Sequence, residues 1–164
     1  MGRLGDMKRS VYVPYLRVDV DETKQIQFLK EPIDFTYMVE HASPSDWRKS
    51  AQCTGDMCYA CEQQLREWSQ RLRVYIPILH EGRQKILSQG AGTNSVLNDL
   101  RQRLVSHGSI TNTVFEISRK GAGKRASYSL LALDSTEPAV YNSKVDMGDL
   151  TKMVPYEKQK NYYI

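Results

Sequence analysis

No stretch of this 164-residue chain approaches the roughly 18 consecutive apolar residues of a membrane span, so no membrane association is expected. Residues Met1 to Ser10 are polar and basic, without the apolar core of a signal peptide, which makes the cytoplasm the expected compartment. Cysteine is scarce. Cys53, Cys58 and Cys61 are the only three, and they fall within nine residues. An odd count packed that tightly does not make a disulfide framework and suits a metal site.

Catalytic signatures are missing as well. No paired carboxylates or nucleophile–base arrangement stand out. His80-Glu81 is followed by Gly82, Arg83 and Gln84, which is not H-E-x-x-H. The zinc-deaminase pattern fails because Ala42 and Ser43 follow His41, and Met57, not proline, precedes Cys58. Gly121-Ala122-Gly123-Lys124-Arg125-Ala126 imitates a dinucleotide or phosphate loop, but a strand, not a helix, is predicted after it. Gly90-Ala91-Gly92 does precede a helix, yet Ser95 stands in place of the third glycine. A binding protein is expected, not an enzyme.

Apolar residues make up 40% and charged residues 26%, ordinary globular usage for one domain. The net charge of +4 is uneven: residues 48–125 carry 13 Lys/Arg against 6 Asp/Glu, while both flanks are slightly acidic. Cations gathered in one region attract a polyanion through counterion release. A solvated cationic face explains the same charge equally well.

The chain reads as mainly β with one or two helices. Val11 to Leu16 suits an edge strand because of Pro14. Gln25 to Phe28 alternates polar and apolar, as do Phe35, Tyr37 and Val39, with a turn near Pro32 to Asp34. Glu62 to Gln70 predicts a short helix. Arg71 to Leu79 predicts a strand with Leu72, Val74, Ile76 and Ile78 on one face and Arg71, Arg73, Tyr75 and Pro77 on the other. Gly82 turns it into Gln84 to Leu87. The clearest helix starts near Asn94 or Ser95 and ends before Gly108. Thr113 to Arg119 and Arg125 to Leu133 form a last hairpin around a glycine-containing turn. Phe28, Phe35 and Phe115 are expected in the core. This content fits a five-stranded OB-fold barrel with its helix between strands three and four. The expected layout is a barrel domain over 1–133, a metal-binding insertion at about 41–70, and a C-terminal tail or docked arm over 134–164.

Cys53-x4-Cys58-x2-Cys61, with His41 twelve residues earlier, supplies four candidate ligands. Structural zinc takes a closed tetrahedron of thiolate sulfur and imidazole nitrogen. A C-x2-C step brings two sulfurs to one ion, and Gly55 helps the preceding loop fold back. His80 and His107 lie on other elements; His41 opens the same irregular segment and is taken as the fourth ligand. Binding energies of ~10–16 kcal/mol can order a loop with little core of its own.

Candidate nucleic-acid contacts follow from cations beside aromatics. Tyr75 shares a strand face with Arg71 and Arg73 and is the leading base-stacking candidate. Trp47 stands beside Arg48 and Lys49, and Tyr59 lies between two cysteines. Arg119, Lys120, Lys124 and Arg125 surround the glycine turn, with Tyr128 just after it. For any one aromatic, core packing is the commoner role, and cations at a hairpin tip also guard against edge aggregation.

Taken together, these segments resemble the zinc-containing single-stranded-DNA-binding proteins of tailed bacteriophages. The likeness spans about residues 10–133: Tyr12-Val13-Pro14-Tyr15, Ile26-Gln27-Phe28-Leu29, the His41/Cys53/Cys58/Cys61 set, Gly108 to Ile117, the basic turn at 119–125, and Tyr128. It implies an OB-fold with a zinc subdomain and a basic, aromatic cleft that coats single-stranded DNA during replication, recombination or repair. Replication or recombination proteins would be further partners. Such proteins commonly end in an acidic tail, whereas this sequence ends Pro155 to Ile164 without acidic character. Either an acidic segment lies outside this sequence, or partner recruitment and cooperativity work differently. Self-association on DNA through Tyr162-Tyr163-Ile164 is one route. The competing reading is a zinc-ribbon module that docks on a polymerase or another replication or transcription partner.

Overall fold

A computed structural model describes residues 14–43, 50–65, 67–92, 94–140 and 155–163. The protein is mainly β. Seven strands, β1 (Thr23–Phe28), β2 (Thr36–Ala42), β3 (Ser50–Gln52), β4 (Gln70–His80), β5 (Arg83–Gly90), β6 (Val114–Lys120) and β7 (Ser127–Ala132), form one antiparallel sheet. Its order is β3-β2-β4-β1-β6-β7, with β5 also paired to β4. The helices are α1 (Tyr59–Glu62), α2 (Leu97–His107) and α3 (Tyr156–Tyr162).

β1 and β2 behave as one bent strand. β4 pairs with β2 through Gln70 to Tyr75 and with β1 through Ile78 and Leu79. Between these ladders lies the 3-10 turn Pro32–Asp34. Pro77, which has no N–H to donate, falls at that interruption, where no acceptor on β1 or β2 is left waiting, while its carbonyl accepts from the Leu29 N–H. Counted this way, five strands pair 1–2, 2–3, 1–4 and 4–5, with α2 between the third and fourth as expected. The expected closed barrel does not form. The outward N–H groups of Tyr128 and Leu130 in β7 donate to the Asn94 carbonyl and the Asp99 carboxylate. On β5, residues 14–16 instead bridge Ile86 in parallel. At these positions the two edges are engaged by other segments and do not meet each other.

The main core gathers Ile26, Phe28, Phe35, Val74, Ile76, Ile78, Leu87, Phe115 and Ile117, joined by Leu100 of α2 and by Val96 just before it. The Ser95 hydroxyl accepts from the Leu97 N–H at the start of α2, and Gly108 ends it at φ 76°, the left-handed conformation of a helix C-terminus. The short helix expected over 62–70 is replaced by the single turn of α1, which Gln64 stops at φ 49°. Leu72, Tyr37 and Val39 keep the predicted parity but lie past the edge of the core, 47%, 48% and 39% exposed.

One carboxylate ties the bend to the α2–β6 connection. Glu31 accepts from the N–H groups of Ile110 and Thr111 and from the hydroxyls of Ser109 and Thr111. Burial raises its pKa, but these donors outweigh that and hold it below the usual carboxylate value of 4.5. Stability from Glu31 is therefore present above that value and lost as pH falls through the lower folded value. Glu31→Gln should lower stability at neutral pH by about 2 kcal/mol and flatten the acid limb of a urea-melt series against pH. A mutant matching the wild type at every pH would remove this anchor from the account.

Candidate functional site

β2 delivers His41 to one face of the sheet, and β3 pairs with it so that Ala51 lies opposite His41. Cys53 follows β3 directly, and its N–H donates to the Val39 carbonyl. Gly55, at φ 73°, turns the chain back. Cys58 then precedes α1 as its N-cap residue, and Cys61 lies within it. The ligand atoms of His41, Cys53, Cys58 and Cys61 all lie within 4.8 Å of one another and could hold a metal ion.

The distances fit one ion. Cys53 Sγ and Cys61 Sγ are 3.6 Å apart, and His41 Nε2 is 3.4 Å from Sγ of both Cys58 and Cys61. A tetrahedral ion with metal–sulfur and metal–nitrogen bonds of about 2.3 and 2.0 Å separates its ligand atoms by about 3.5–3.8 Å. A disulfide would require about 2.05 Å. His41 Nδ1 donates to the Trp68 carbonyl at 2.9 Å, leaving the Nε2 lone pair facing the sulfurs. Gln70 Nε2 donates to Cys53 Sγ at 3.5 Å.

The thiols are pulled in opposite directions. Burial raises the Cys58 thiol, yet hydrogen bonds from Cys61 and Thr54 bring it down to about 6. Burial and the neighbouring Cys53 and Cys58 push Cys61 up to about 12. A metal cation held here would resolve the conflict by favouring the thiolate at each sulfur.

The arm at 155–163 packs against this segment. Gln159 accepts from the Tyr59 N–H at 2.7 Å and donates to the Thr54 hydroxyl at 3.0 Å. The Tyr162 hydroxyl donates to the Ser50 carbonyl, and Tyr156 donates to Glu62. Tyr163 lies edge-on to Trp68 at 4.9 Å and to His41 at 5.9 Å, in a second core with Ala51, Cys58 and Ala60. Tyr162 and Tyr163 are thus engaged inside the chain, which removes the Tyr163 ring from the expected route to self-association. Further upstream, Gln27 exchanges two hydrogen bonds with the Ala139 backbone and holds that stretch against β1.

On the opposite face of β4 the predicted contacts divide. Arg71, Arg73 and Tyr75 do share that face, but Tyr75 is 4% exposed and its hydroxyl donates to Glu40 Oε2 at 2.7 Å. Its ring is not offered to a base. The same carboxylate, 1% exposed, accepts from Arg71 Nε at 3.0 Å and Nη2 at 2.9 Å. Arg73 Nη2 donates to the Ser88 hydroxyl at 2.6 Å, while its Nε is buried without a partner. Burial and then the Arg71 charge lower the Arg73 pKa; Tyr75, Glu40 and Tyr128 act against them. Glu40 was not among the expected site residues. Its only signal in the sequence is an acid beside His41 in an alternating strand.

At the hairpin, Arg119 pairs across strands with Tyr128 and lies 5.9 Å from its ring centre, with Nη1 donating to the Val18 carbonyl. Lys120 and Arg125 are exposed at the tip. Gly121 is required there: at φ 75°, an added Cβ would stand 2.4 Å from the Arg125 carbonyl oxygen. Tyr59 is half-buried in the metal segment. Trp47, Arg48, Lys49 and the side chain of Lys124 lie outside what the structure describes. No described helix is long and apolar enough to cross a membrane. No protein-family model and no curated protein matches this chain.

The arm touches the metal segment through α1, Thr54, Ser50 and His41, so metal and arm should be lost together. Chelation, or Cys58→Ala, should abolish stoichiometric metal binding, change Trp68 fluorescence, and open residues 155–163 to limited proteolysis. An arm that stays equally protected after complete metal removal would break the link.

Proposed function

We propose that this chain is a sequence-tolerant single-stranded-DNA-binding protein that carries a structural zinc ion and acts in phage DNA replication, recombination or repair. The observation that carries the reading is where the topology puts its loops. In OB-type barrels an oligonucleotide crosses the second and third strands between the 1–2 and 4–5 loops. With β1 and β2 taken as one strand, β4 and β5 are the second and third. The 1–2 loop is then the metal-binding segment between β2 and β4, and the 4–5 loop is the basic turn between β6 and β7. Arg71 and Arg73 lie on the strand face of β4, and Lys120 and Arg125 are exposed at the turn. Zinc suits the site because three sulfurs and one imidazole nitrogen close a tetrahedron and leave no position for a reacting water. His41, Cys53, Cys58 and Cys61 would hold it, and its contribution would be to fold the segment rather than to perform chemistry. The reading is therefore of a binder, not an enzyme.

A zinc-dependent protein-docking module is the second reading. The exposed Tyr37, Val39 and Leu72 shelf favours it, since contiguous exposed apolar side chains mark interaction surfaces. It predicts weak binding to bare oligonucleotides and a stable complex with a replication or transcription partner.

Fluorescence titrations with oligo-dT and with duplex of equal length separate the two. Single strands should bind more tightly, with an affinity that falls as salt rises. Lys120→Ala and Arg125→Ala should each reduce the salt slope by about 1. Equal affinity for duplex and single strand would reject the leading reading.

A further inference from the structure

A strand-binding face needs an accessible ring for the bases, and Tyr75 does not provide one. Side-chain parity shows which tyrosine does. Ile86 donates to the Pro14 carbonyl and accepts from the Leu16 N–H, so Tyr15 is the direct partner of Ile86 in a parallel bridge. Paired residues point to the same side of a sheet. Ile86 opposes Pro77, and Ser88 opposes Tyr75, which places Tyr15 on the face of Arg71, Arg73 and Tyr75. Its neighbour Leu16 points the other way, into the core.

Tyr15 is 44% exposed, and its ring centre lies 6.4 Å from that of Tyr75, tilted by 59°. Tyr75 is in turn fixed through its hydroxyl to Glu40, which Arg71 clamps. The result is a continuous ledge, Arg71–Glu40–Tyr75–Tyr15, with a buried ring supporting an accessible one at its outer end. Arg73 lies beside it through Ser88. The other described rings near the sheet are poorly placed for this role. Tyr37 lies on the opposite face, opposite Val74, Tyr59 packs within the metal segment, and Tyr128 packs against the main core.

Resting on the single-stranded-DNA reading, we propose that Tyr15 is the base-stacking residue of the β4–β5 face and that Tyr75 and Glu40 position it. Stacking is insensitive to salt, whereas phosphate contacts are not, so the two contributions separate experimentally.

The test titrates a fluorescein-labelled oligo-dT strand over a range of salt. Tyr15→Leu keeps an apolar side chain against Tyr75 but removes the aromatic face. It should bind roughly 5- to 150-fold more weakly with an unchanged salt slope. Tyr15→Trp should bind at least as tightly as the wild type, and Tyr37→Leu should match it. Tyr75→Phe, which frees the support from Glu40, should lose a smaller part of the affinity and leave the slope unchanged. Wild-type affinity in Tyr15→Leu, or a loss confined to Tyr37→Leu, would overturn the assignment while leaving DNA binding intact. A wild-type protein that binds no single strand at all would instead sink the functional reading beneath it.

Discussion

The register between β2 and β4 is the constraint on which both candidate surfaces depend. Glu40 opposes Arg71, and His41 opposes Gln70. Neighbouring residues in a strand point to opposite faces, so this pairing sends an acid to one side and a metal ligand to the other. On one side Glu40 accepts from Arg71 and Tyr75. On the other, His41 meets three sulfurs, and Gln70 donates to one of them. A slip of one residue would bury His41 beneath the arginines and turn Glu40 towards the thiolates. Each is unfavourable, so the Glu40–Arg71 ion pair and the His/Cys cluster both favour the register that builds the other.

The same pairing explains why the metal segment can be small. It has little apolar mass of its own, and its second core sets four rings, Trp68, Tyr163, Tyr59 and Tyr162, around the small Ala51, Cys58 and Ala60. Half of that aromatic set, Tyr162 at the end of α3 and Tyr163 just after it, comes from nearly a hundred residues later in the chain. The Trp68 carbonyl orients His41, and the Trp68 ring receives Tyr163, so a single residue joins metal geometry to arm docking. The Tyr163 hydroxyl is buried without a partner, and burial raises its pKa. An unpaired buried hydroxyl is unfavourable by about 1–3 kcal/mol, which the surrounding ring contacts must offset for the arm to stay in place.

What the sequence made legible was what is local. The C-x4-C-x2-C spacing and the nearest histidine identified a ligand set that the fold brings within reach of one ion, because all four residues are close in the chain. Ser95 and Gly108 marked the two ends of α2 through capping chemistry that acts within a few residues. Strand parity also placed Arg71, Arg73 and Tyr75 together. It failed at the next step, because parity tells which way a side chain points and not what lies over it. Tyr75 is covered by Glu40 from 35 positions upstream, and Leu72 is uncovered because the core stops one pair short of it. Barrel closure was equally out of reach: whether β5 meets β7 depends on Asn94, Asp99 and residues 14–16 taking up the edge positions first.

Charge shows the same limit and changes how the proposed strand-binding face would work. The central segment has an excess of 7 cations, but several are already committed. Arg71 is held by Glu40, Arg103 by Asp134 at 2.6 Å, and Arg119 by the Val18 carbonyl. A paired guanidinium neutralises less phosphate than a solvated one, so the count of Lys and Arg overstates the electrostatic pull on a nucleic acid. Among the described cations, Lys120 and Arg125 stay exposed at the hairpin end of the face, while Arg71 acts chiefly through the carboxylate it fixes. A face built this way would draw a strand in by its backbone at the hairpin and hold it by its bases along β4 and β5. Its preference for unpaired bases would then come from rigid aromatic support rather than from net charge.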